Sequence, residues 1–353
     1  MRIVWAAAYG GVQRGGFIPS LEAIAKRVIA RGDSFDVVVP DVGPAAWHAD
    51  VRALGVGVHV VPNAPRAAAR YVASLKGDVV HVHFHDWLVA VTLATWPSRA
   101  RLVWHVHSTF ETDAGPVRIT PRRRIKYGLL GARASAIACV SRTIADAARA
   151  MGASARKLVV IPNAVDGARF HRPDAAQRDA ARTQLGLNGR PAIAFFGRDP
   201  VIKGADILAG AMARLPGVTV VAVATPAATV ADLARNGRVV SVPFTDDVLS
   251  VLWAVDAVAL PSRGEGMPFV ALEAIACGLP VVASDLPWAI ELAEGSASVR
   301  LARNDAGALA DALRETLAAP PRPVPAHGGE LDLWAERVAQ LYAESSDGRH
   351  RRR

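Results

Sequence analysis

Short, continuous runs of apolar, β-branched residues recur along the chain, each followed by a helical pattern, and they constrain its fold more than any other feature. Because these runs are mostly apolar and do not alternate regularly with polar residues, they predict strands buried on both faces, as in parallel sheets covered by helices. The alternation of strand and helix predicts βαβ units. In the first half of the chain, the predicted strands are Ile3–Ala8, Val37–Pro40, Val58–Val61, Val79–Phe84, Leu102–His107 and Ile137–Val140.

The same alternation begins again in the second half of the chain. Residues 166–190 between the two halves are polar and contain three glycines and a proline, which is typical of an interdomain linker. A chain of 353 residues with 51% hydrophobic content can bury two cores. We therefore predict an α/β protein with two doubly wound domains. The predicted strands of the second domain are Ala192–Phe196, Val218–Val223, Val239–Val242, Val258–Leu260 and Pro280–Ala283.

The predicted domains span residues 1–170 and 171–325, and residues 326–353 form a third, smaller segment. Within that segment Trp334, Val338 and Leu341 recur at helical spacing on one face. We expect this helix to reach back to the first domain. The four arginines near the C-terminus are expected to form a solvated tail.

Cysteine usage and hydropathy indicate a cytoplasmic protein. Cys139 and Cys277 lie in separate halves without a CxxC pattern, so neither a disulfide framework nor a cysteine-type zinc site is expected. The first residues lead directly into a predicted strand, and the chain has no charge-free run of 18 residues or more. We expect a chain that neither crosses a membrane nor is exported.

Positive charge is concentrated in the first half of the chain. Residues 1–170 contain 22 Lys and Arg against 11 Asp and Glu, whereas residues 171–353 contain 19 against 21. Such an excess attracts anions, including phosphorylated substrates, acidic lipid headgroups and nucleic acid. An aromatic content of 6% and the lack of a recognisable module argue against nucleic acid. A cluster of basic residues has three possible interpretations: a solvated helix, a peripheral contact with the inner face of the membrane, or an acceptor-binding patch. The cluster consists of Arg118, Arg122, Arg123, Arg124 and Lys126.

The strongest motif spans residues 261–284 and is typical of a strand, a glycine loop, a helix and a second strand. Gly264 and Gly266 allow the backbone to approach a ligand closely, and Gly278 is placed to end the helix. The helix that begins near Pro268 offers free backbone N–H groups, which favour an anion. Two carboxylates, Glu265 and Glu273, are suited to accept hydrogen bonds from sugar hydroxyls.

A second motif, residues 195–204, ends a predicted strand at Gly197 and continues with Arg198 and Lys203. Both cations could reach a diphosphate. A nucleotide-diphosphate leaving group gains negative charge as the glycosidic bond breaks, and fixed cations with a helix N-terminus stabilise that charge without a metal. The sequence thus favours a nucleotide-diphosphate sugar as co-substrate, with no cofactor and no metal.

The two motifs together resemble the family-four, group 1 retaining glycosyltransferases of the GT-B fold, among them the phosphatidylinositol mannosyltransferases. The Glu-x7-Glu pattern of that family's donor site is matched by Glu265 and Glu273. Residues 10–13 resemble the family's N-terminal glycine loop, residues 160–166 its interdomain motif, and Trp334 fits its closing helix. The resemblance implies two Rossmann-like domains facing a cleft, with the C-terminal helix crossing back to the first domain.

The resemblance also implies roles for particular residues. Glu273 would hold the ribose hydroxyls, Glu265 the hydroxyls of the donor sugar, and His107 would face that sugar. The implied catalytic residues are His107, Glu265, Arg198 and Lys203. The implied donor-binding residues are Gly197, Arg198, Lys203, Glu265, Gly266, Met267, Pro268, Phe269 and Glu273, and the residues of the N-domain cleft are Gly10, Gly11, His85 and Asn163.

The predicted function is transfer of a sugar, with retention of configuration, to an unknown acceptor in bacterial natural-product or cell-envelope glycoside synthesis. A UDP-sugar is the expected donor because UDP donors are frequent within the family. An anionic or lipid-linked acceptor is left open. Alternatives are a GT-B-fold epimerase or hydrolase of nucleotide sugars and a non-catalytic nucleotide-sugar-binding partner protein. A nicotinamide oxidoreductase is disfavoured because the GxGxxG fingerprint is missing.

Three histidines alternate near the end of one predicted strand. His81, His83 and His85 would share a face, and with Asp86 they offer a set of metal ligands. A strand-end position beside the cleft is the favoured interpretation, and the sequence predicts no metal site here.

Overall fold

The computed structural model of the protein describes residues 1–108, 119–187, 189–319 and 331–343. The chain forms two compact units. The described part of the first unit consists of residues 1–108, 119–164 and 331–343, and that of the second consists of residues 165–187 and 189–319. The chain therefore enters the second unit after Ala164, whereas the sequence placed the domain boundary at residue 170. Arg118, residues 320–330 and the basic tail lie outside the described residues.

The first unit contains a parallel sheet in the order β3-β2-β1-β4-β5-β6-β7. Its strand order reverses between β1 and β4, as in a doubly wound fold. The strands are β1 (Arg2–Ala7), β2 (Ser34–Pro40), β3 (Gly57–Val61), β4 (Val79–His83), β5 (Arg101–Val106), β6 (Ala136–Cys139) and β7 (Leu158–Val160). The helices are α1 (Phe17–Ala30), α2 (Trp47–Ala53), α3 (Pro65–Ser74), α4 (His85–Ala94), α5 (Pro121–Arg124), which continues as a π-helical turn at Ile125–Leu130, and α6 (Arg142–Ala150).

The second unit contains a parallel sheet in the order β10-β9-β8-β11-β12-β13, which reverses between β8 and β11. The strands are β8 (Ala192–Phe196), β9 (Thr219–Val223), β10 (Arg238–Val242), β11 (Ala257–Leu260), β12 (Val281–Ser284) and β13 (Val299–Ala302). The helices are α7 (Ala175–Gln184), α8 (Ala205–Met212), α9 (Ala227–Ala234), α10 (Val248–Ala254), α11 (Phe269–Ala276), α12 (Pro287–Gly295) and α13 (Ala306–Ala318). A last helix, α14 (Leu331–Ala343), belongs to the first unit.

The predicted fold class of two Rossmann-like parallel sheets is confirmed, and so is each of the strands expected from the apolar runs. Two strands escaped the sequence analysis, β7 and β13. Both are short strands at the edge of their sheet. β7 has only three residues, so its apolar run is too short to stand out, and the charged Arg300 interrupts the apolar residues of β13.

The segment expected as a polar linker contains an ordered helix, α7. Asp174 caps it, since its side chain accepts from the backbone N–H of Gln177 at 2.7 Å while the Gln177 side chain accepts from the Asp174 N–H at 2.9 Å. Arg178 donates to the carbonyls of Trp253 and Val255, each at 3.0 Å. The arginines that gave this segment its polar character therefore fasten α7 to the end of α10 and the residues that follow it.

The last helix, α14, packs against α1 and completes the core of the first unit, as the predicted return of the chain requires. Trp334, Val338 and Leu341 are buried in that core. Tyr342 is also buried, and its hydroxyl accepts a hydrogen bond from Trp5 Nε1 in β1 at 2.7 Å. No helix in the described ranges is long and apolar enough to cross a membrane.

Truncation of Leu341 is expected to destabilise the first unit strongly. This side chain is 3% exposed within the core, whereas Leu333 on the same helix is 52% exposed. We predict that Leu341→Ala lowers the free energy of unfolding by about 2–5 kcal/mol, because a buried leucine leaves a cavity, and that Leu333→Ala changes it by less than about 0.5 kcal/mol. Urea unfolding followed by circular dichroism compares the two variants, and equal effects would show that α14 does not contribute to the core.

Candidate active site

Both sequence motifs of the second unit lie where its strand order reverses. The motif at residues 195–204 begins with the last two residues of β8, the motif at residues 261–268 follows β11, and these two strands are neighbours in the sheet. In open parallel sheets, ligands bind outside the carboxyl ends of the strands at such a reversal. The sheet topology therefore brings the two predicted parts of the donor site together.

Backbone contacts hold the two loops against each other. The N–H of Arg263 donates to the carbonyl of Ile202 at 2.7 Å. Gly204 has a φ of +70°, and a Cβ at this position would lie 2.0 Å from the carbonyl oxygen of Pro261. Glycine is required here both by the left-handed backbone and by the close approach of the second loop. Arg263 also forms two bonds with Asp206, at 2.9 and 2.7 Å, so its side chain fastens the loop to α8.

Lys203 and Glu265 form an ion pair across these loops. Lys203 Nζ lies 2.5 Å from Glu265 Oε1, and Ser262 Oγ donates to the same oxygen at 2.9 Å. Both charged side chains are partly buried, which strengthens their attraction relative to a surface pair. Within the described ranges the lysine uses one of its three N–H bonds in this pair, which leaves the others for a ligand.

Arg198 does not join this pair. The residue is exposed at the end of β8, and its guanidinium lies 4.9 Å from the centroid of the Phe244 ring. The preceding residue, Gly197, is buried, and a Cβ there would lie 2.5 Å from Thr225 Oγ1. Of the two predicted cations, the structure thus brings only Lys203 into contact with a predicted carboxylate.

The loop before α11 is buried up to the start of the helix. Gly266, Met267 and Pro268 are buried, and Pro268 immediately precedes Phe269, the first residue of α11. Although Pro268 lacks an N–H group, the first N–H groups of the helix itself have no partner within the helix. The helix therefore starts after the proline, and anion binding at its start stays a prediction. At the other end, Gly278 follows the helix with a φ of +74° and ends it as predicted.

Glu273 lies on α11 and is 7% exposed. Burial raises the pKa of its carboxyl from 4.5 to about 7, and the positive charge of Arg169 opposes this rise. A carboxylate held in such surroundings gains from hydrogen-bond donors brought by a ligand. Its environment differs from that of Glu265, which already accepts hydrogen bonds from two side chains.

Replacement of Glu273 by its neutral amide is expected to stabilise the protein in a pH-dependent way. Between pH 4.5 and about 7 the folded protein keeps a proton on Glu273 that the unfolded chain has lost, so the free energy of unfolding falls as the pH rises through this window. We predict that Glu273→Gln is more stable than the parent by about 2–3 kcal/mol at pH 8 and equally stable near pH 4.5. Urea unfolding at the two pH values measures the difference.

Glu315→Gln serves as the control for this comparison. Glu315 pairs with Arg300 and has 64% of its side chain exposed. We expect its replacement to change stability by less than about 0.5 kcal/mol at either pH. A Glu273→Gln variant that is less stable than the parent at pH 8 would show that the carboxylate is satisfied in the folded protein.

In the first unit, the predicted cleft residues lie around the reversal between β1 and β4. Gly10 and Gly11 follow β1, and His85 is the first residue of α4 after β4. The Gly11 carbonyl accepts from Trp47 Nε1 at 3.1 Å, and a Cβ on Gly11 would lie 2.6 Å from the Tyr9 ring. Asn163 is 7% exposed in the segment after β7.

His107 follows β5 and is held by aromatic neighbours. Its Nε2 lies 2.9 Å from Nδ1 of His83, and its ring stacks on Phe84 at a centroid distance of 4.7 Å and on His105 at 4.4 Å. Burial lowers the pKa of His107 well below its usual value, so the imidazole is neutral at physiological pH. A neutral imidazole can donate from one nitrogen and accept at the other.

The expected alignment of three histidines on one strand is wrong for His85. This residue begins α4, because β4 ends at His83 and Phe84 turns the chain with a φ of +66°. His85 Nδ1 lies 3.3 Å from Lys126 Nζ. Burial and the Lys126 charge lower the pKa of His85 to about 4, and burial lowers the pKa of Lys126 to about 8. Lys126 therefore meets a predicted cleft residue and is not simply a solvated cation.

Three side chains of the second-unit site were not singled out from the sequence. Ser262 binds Glu265, Arg169 acts on the charge of Glu273, and Phe244 lies under Arg198. Ser262 could have been found from its place three residues before Glu265 in the same motif. Arg169 lies about a hundred residues from Glu273, and no spacing in the sequence connects them.

Comparison with known protein families identifies the class of protein that has this fold and these motifs. A family model described as Glycosyltransferase Family 4 matches residues 14–169, and one described as Glycosyl transferases group 1 matches residues 190–319. The chain belongs to the group 1 glycosyltransferases of the GT-B fold, as the two motifs predicted.

Curated relatives agree with this assignment over part of their length. The chain is 36% identical over 190 residues to a D-inositol 3-phosphate glycosyltransferase from Mycolicibacterium smegmatis, a match that covers 48% of this chain and 43% of that protein. A D-inositol 3-phosphate glycosyltransferase from Mycobacterium marinum is 40% identical over 121 residues, which cover 30% of this chain and 26% of that protein. The match thus spans less than half the length of these relatives.

Solved structures share the fold over nearly the whole chain. HepE from Anabaena in complex with UDP and glucose has a TM-score of 0.75, with 22% identity and 99% of each chain covered. A glycosyltransferase from Rickettsia africae also has a TM-score of 0.75, with 15% identity, 97% of this chain and 98% of that chain covered.

Proposed function

We propose that the protein transfers a sugar from a nucleotide-diphosphate sugar, specifically a UDP-sugar, to an acceptor, with retention of anomeric configuration and without a catalytic metal. The observation that carries the proposal is the grouping of the Lys203–Glu265 ion pair, the start of α11 and the buried carboxyl of Glu273 around one strand reversal. Lys203 and the start of α11 suit a diphosphate, Glu265 suits the hydroxyls of a sugar, and Glu273 suits the hydroxyls of a ribose. The biological setting that we propose is bacterial natural-product or cell-envelope glycoside synthesis.

Lys203 is assigned to the leaving diphosphate. When the bond between the sugar C1 and the phosphate oxygen breaks, that oxygen gains negative charge, and a cation already fixed in place stabilises it without reorganisation. Glu265 fixes Lys203 by the 2.5 Å contact, so the ammonium needs no rearrangement when the donor binds. Arg198 supplies a second cation from the end of β8, and the N–H groups at the start of α11 supply further donors.

The two glutamates are assigned to hydroxyl groups. Glu273 would accept from the ribose, and Glu265, already bound to Lys203, would accept from the donor sugar with its remaining lone pairs. We assign the acceptor's attack to the face from which the phosphate leaves, with the phosphate oxygen taking the acceptor's proton as the new C1–oxygen bond forms. By the family resemblance, His107 is assigned a catalytic role at the donor sugar.

The proposed nucleotide and the proposed class of acceptor are based partly on what the relatives bind or are named for. HepE is described in complexes with UDP and with UDP-glucose, which supports a UDP-sugar as donor. The relatives named for D-inositol 3-phosphate support an anionic acceptor, and so does the excess of 22 cations over 11 anions in residues 1–170. The exposed Ile125 and Leu129 next to the arginines of α5 support a peripheral contact with an acidic lipid surface from the cytoplasmic side.

Nucleotide binding tests the donor site directly. We expect UDP and UDP-sugars to raise the melting temperature more than the GDP, ADP and TDP series at equal concentration, because a ligand that binds only the folded state stabilises it. Because hydroxyl donors favour the ionised carboxylate, the UDP affinity should rise as the pH approaches and passes about 7, and Glu273→Gln should remove this dependence. A panel without any shift would contradict the donor site.

Kinetics test the role assigned to Lys203. We predict that Lys203→Met lowers kcat/KM by at least about 100-fold, in the range found when a preorganised electrostatic contact is removed. Arg235→Met is the control, since Arg235 is a cation of the same unit with 78% of its side chain exposed. Equal rates for both variants would remove Lys203 from the catalytic site.

Product analysis separates transfer from the two alternatives. A UDP-sugar epimerase or hydrolase would change the donor when no acceptor is present, whereas a non-catalytic binding protein would leave it unchanged under every condition. We expect turnover that depends on an added acceptor, with phosphorylated polyols and lipid-linked anions as the first compounds to assay. Turnover at the same rate without any acceptor would contradict transfer.

A further inference from the structure

Three histidines meet inside the core of the first unit. His81 and His83 lie two residues apart on β4, and His105 on β5 is paired with His83 in the sheet, so all three share one face. Their side chains are fully buried. One ring nitrogen of each lies within 4.8 Å of the ring nitrogens offered by the other two.

Four ring nitrogens of this cluster have no hydrogen-bond partner among the residues that the structure describes. They are Nε2 of His81, Nε2 of His83, and both nitrogens of His105. A buried polar group without a partner is unfavourable whether it carries a proton or a lone pair. Four such atoms in one cluster therefore point to an occupant that protein groups do not supply.

The remaining nitrogens of His81 and His83 are each held from outside the cluster. His81 Nδ1 lies 2.8 Å from the hydroxyl of Tyr342 on α14, and His83 Nδ1 lies 2.9 Å from Nε2 of His107. Histidines that bind metals characteristically use one nitrogen for the ion and bond the other to a neighbouring group, which fixes the ring. His81 and His83 both have such a neighbour at Nδ1, and the tautomer that carries its proton on Nδ1 leaves Nε2 for the ion.

We infer that His81, His83 and His105 form a binding site for one divalent transition-metal ion of the kind that imidazole favours, such as Zn²⁺. Three imidazoles and a water or hydroxide complete a tetrahedral zinc site. Zinc–nitrogen bonds of about 2.0–2.1 Å place the nitrogens about 3.4 Å apart, so nitrogens that lie within 4.8 Å of one another would have to approach by no more than about 1.4 Å on binding. A hydroxide in the fourth position would halve the charge buried with the ion.

The ion would act on structure and would take no part in sugar transfer. It would join β4 to β5 directly, and through His81 and Tyr342 it would join both strands to α14. Through His83 it would also fix the ring of His107, to which we assign a catalytic role. This inference goes beyond the proposed function, and its test does not depend on activity.

The competing occupant is buried water, which can satisfy the same nitrogens. Protein with zinc at this site and protein with water there differ in their metal content. We predict that the untagged, full-length protein, expressed with added Zn²⁺ and passed over a chelating resin, retains about one zinc per chain by elemental mass spectrometry. Protein that retains less than about a tenth of an equivalent, and takes up none from added Zn²⁺, would overturn the inference in favour of water.

Variants locate the site. His81→Phe and His105→Phe should each lower the bound zinc at least tenfold, because each removes a ligand. The matched control is His48→Phe, since His48 is a buried histidine on α2 whose Nε2 also has no partner in the described chain. Full zinc content in His105→Phe, or an equal loss in the control, would contradict the assignment.

A measurement on the parent protein avoids variants that fail to fold. Co²⁺ in place of Zn²⁺ absorbs visible light strongly in a tetrahedral imidazole site and weakly when bound octahedrally at the surface. We expect the strong bands at one equivalent of Co²⁺ and their loss on adding Zn²⁺. Weak octahedral bands alone would overturn the inference.

Discussion

The burial of central strands on both faces determines where this protein can place polar chemistry. A strand covered by helices on either side has no room for an unpaired charge, so in the second unit Lys203 and Glu265 follow the strands, in the loops at their carboxyl ends. At the reversal between β8 and β11 two such loops meet, and they are joined by the Arg263–Ile202 backbone bond and by the close approach of Gly204 to Pro261. The Lys203–Glu265 pair depends on this contact, since its two partners come from different loops.

The two carboxylates of the Glu-x7-Glu pattern have opposite surroundings in the folded protein. Glu265 is paired with a cation and with a hydroxyl group before any ligand arrives, whereas Glu273 is buried with its pKa raised to about 7. One residue is therefore preorganised by its neighbours, and the other is held in an unfavourable state that a ligand can relieve. Glu265 therefore holds Lys203 in place, whereas Glu273 is the glutamate whose protonation a ligand can change.

The sequence predicted the parts of the protein that repeat a local pattern. Central strands such as β8 and β11 were found because they are apolar throughout, and the motifs that follow these two strands were found because glycines and charges stand at strand ends. The edge strand β7 was missed because it has only three residues, and β13 because Arg300 interrupts its apolar residues. The effect of Arg169 on Glu273 and the meeting of His105 with His81 depend on tertiary packing, which no local spacing records. His85 was expected on β4 but begins α4, because the positive φ of Phe84, one residue earlier, ends the strand.

The hydrogen bond from Trp5 to Tyr342 joins residues that are 337 positions apart. The core of the first unit needs α14, while every described residue of the second unit lies between the two partners of that bond. During synthesis on the ribosome, the second unit can therefore gather its own complete core before the first unit has received its last helix. Contacts of such long range form late because the closure of a long loop must precede them. The half of the protein that is made first would then be the half that finishes folding last, with the surface meant for α14 exposed to chaperones in the meantime.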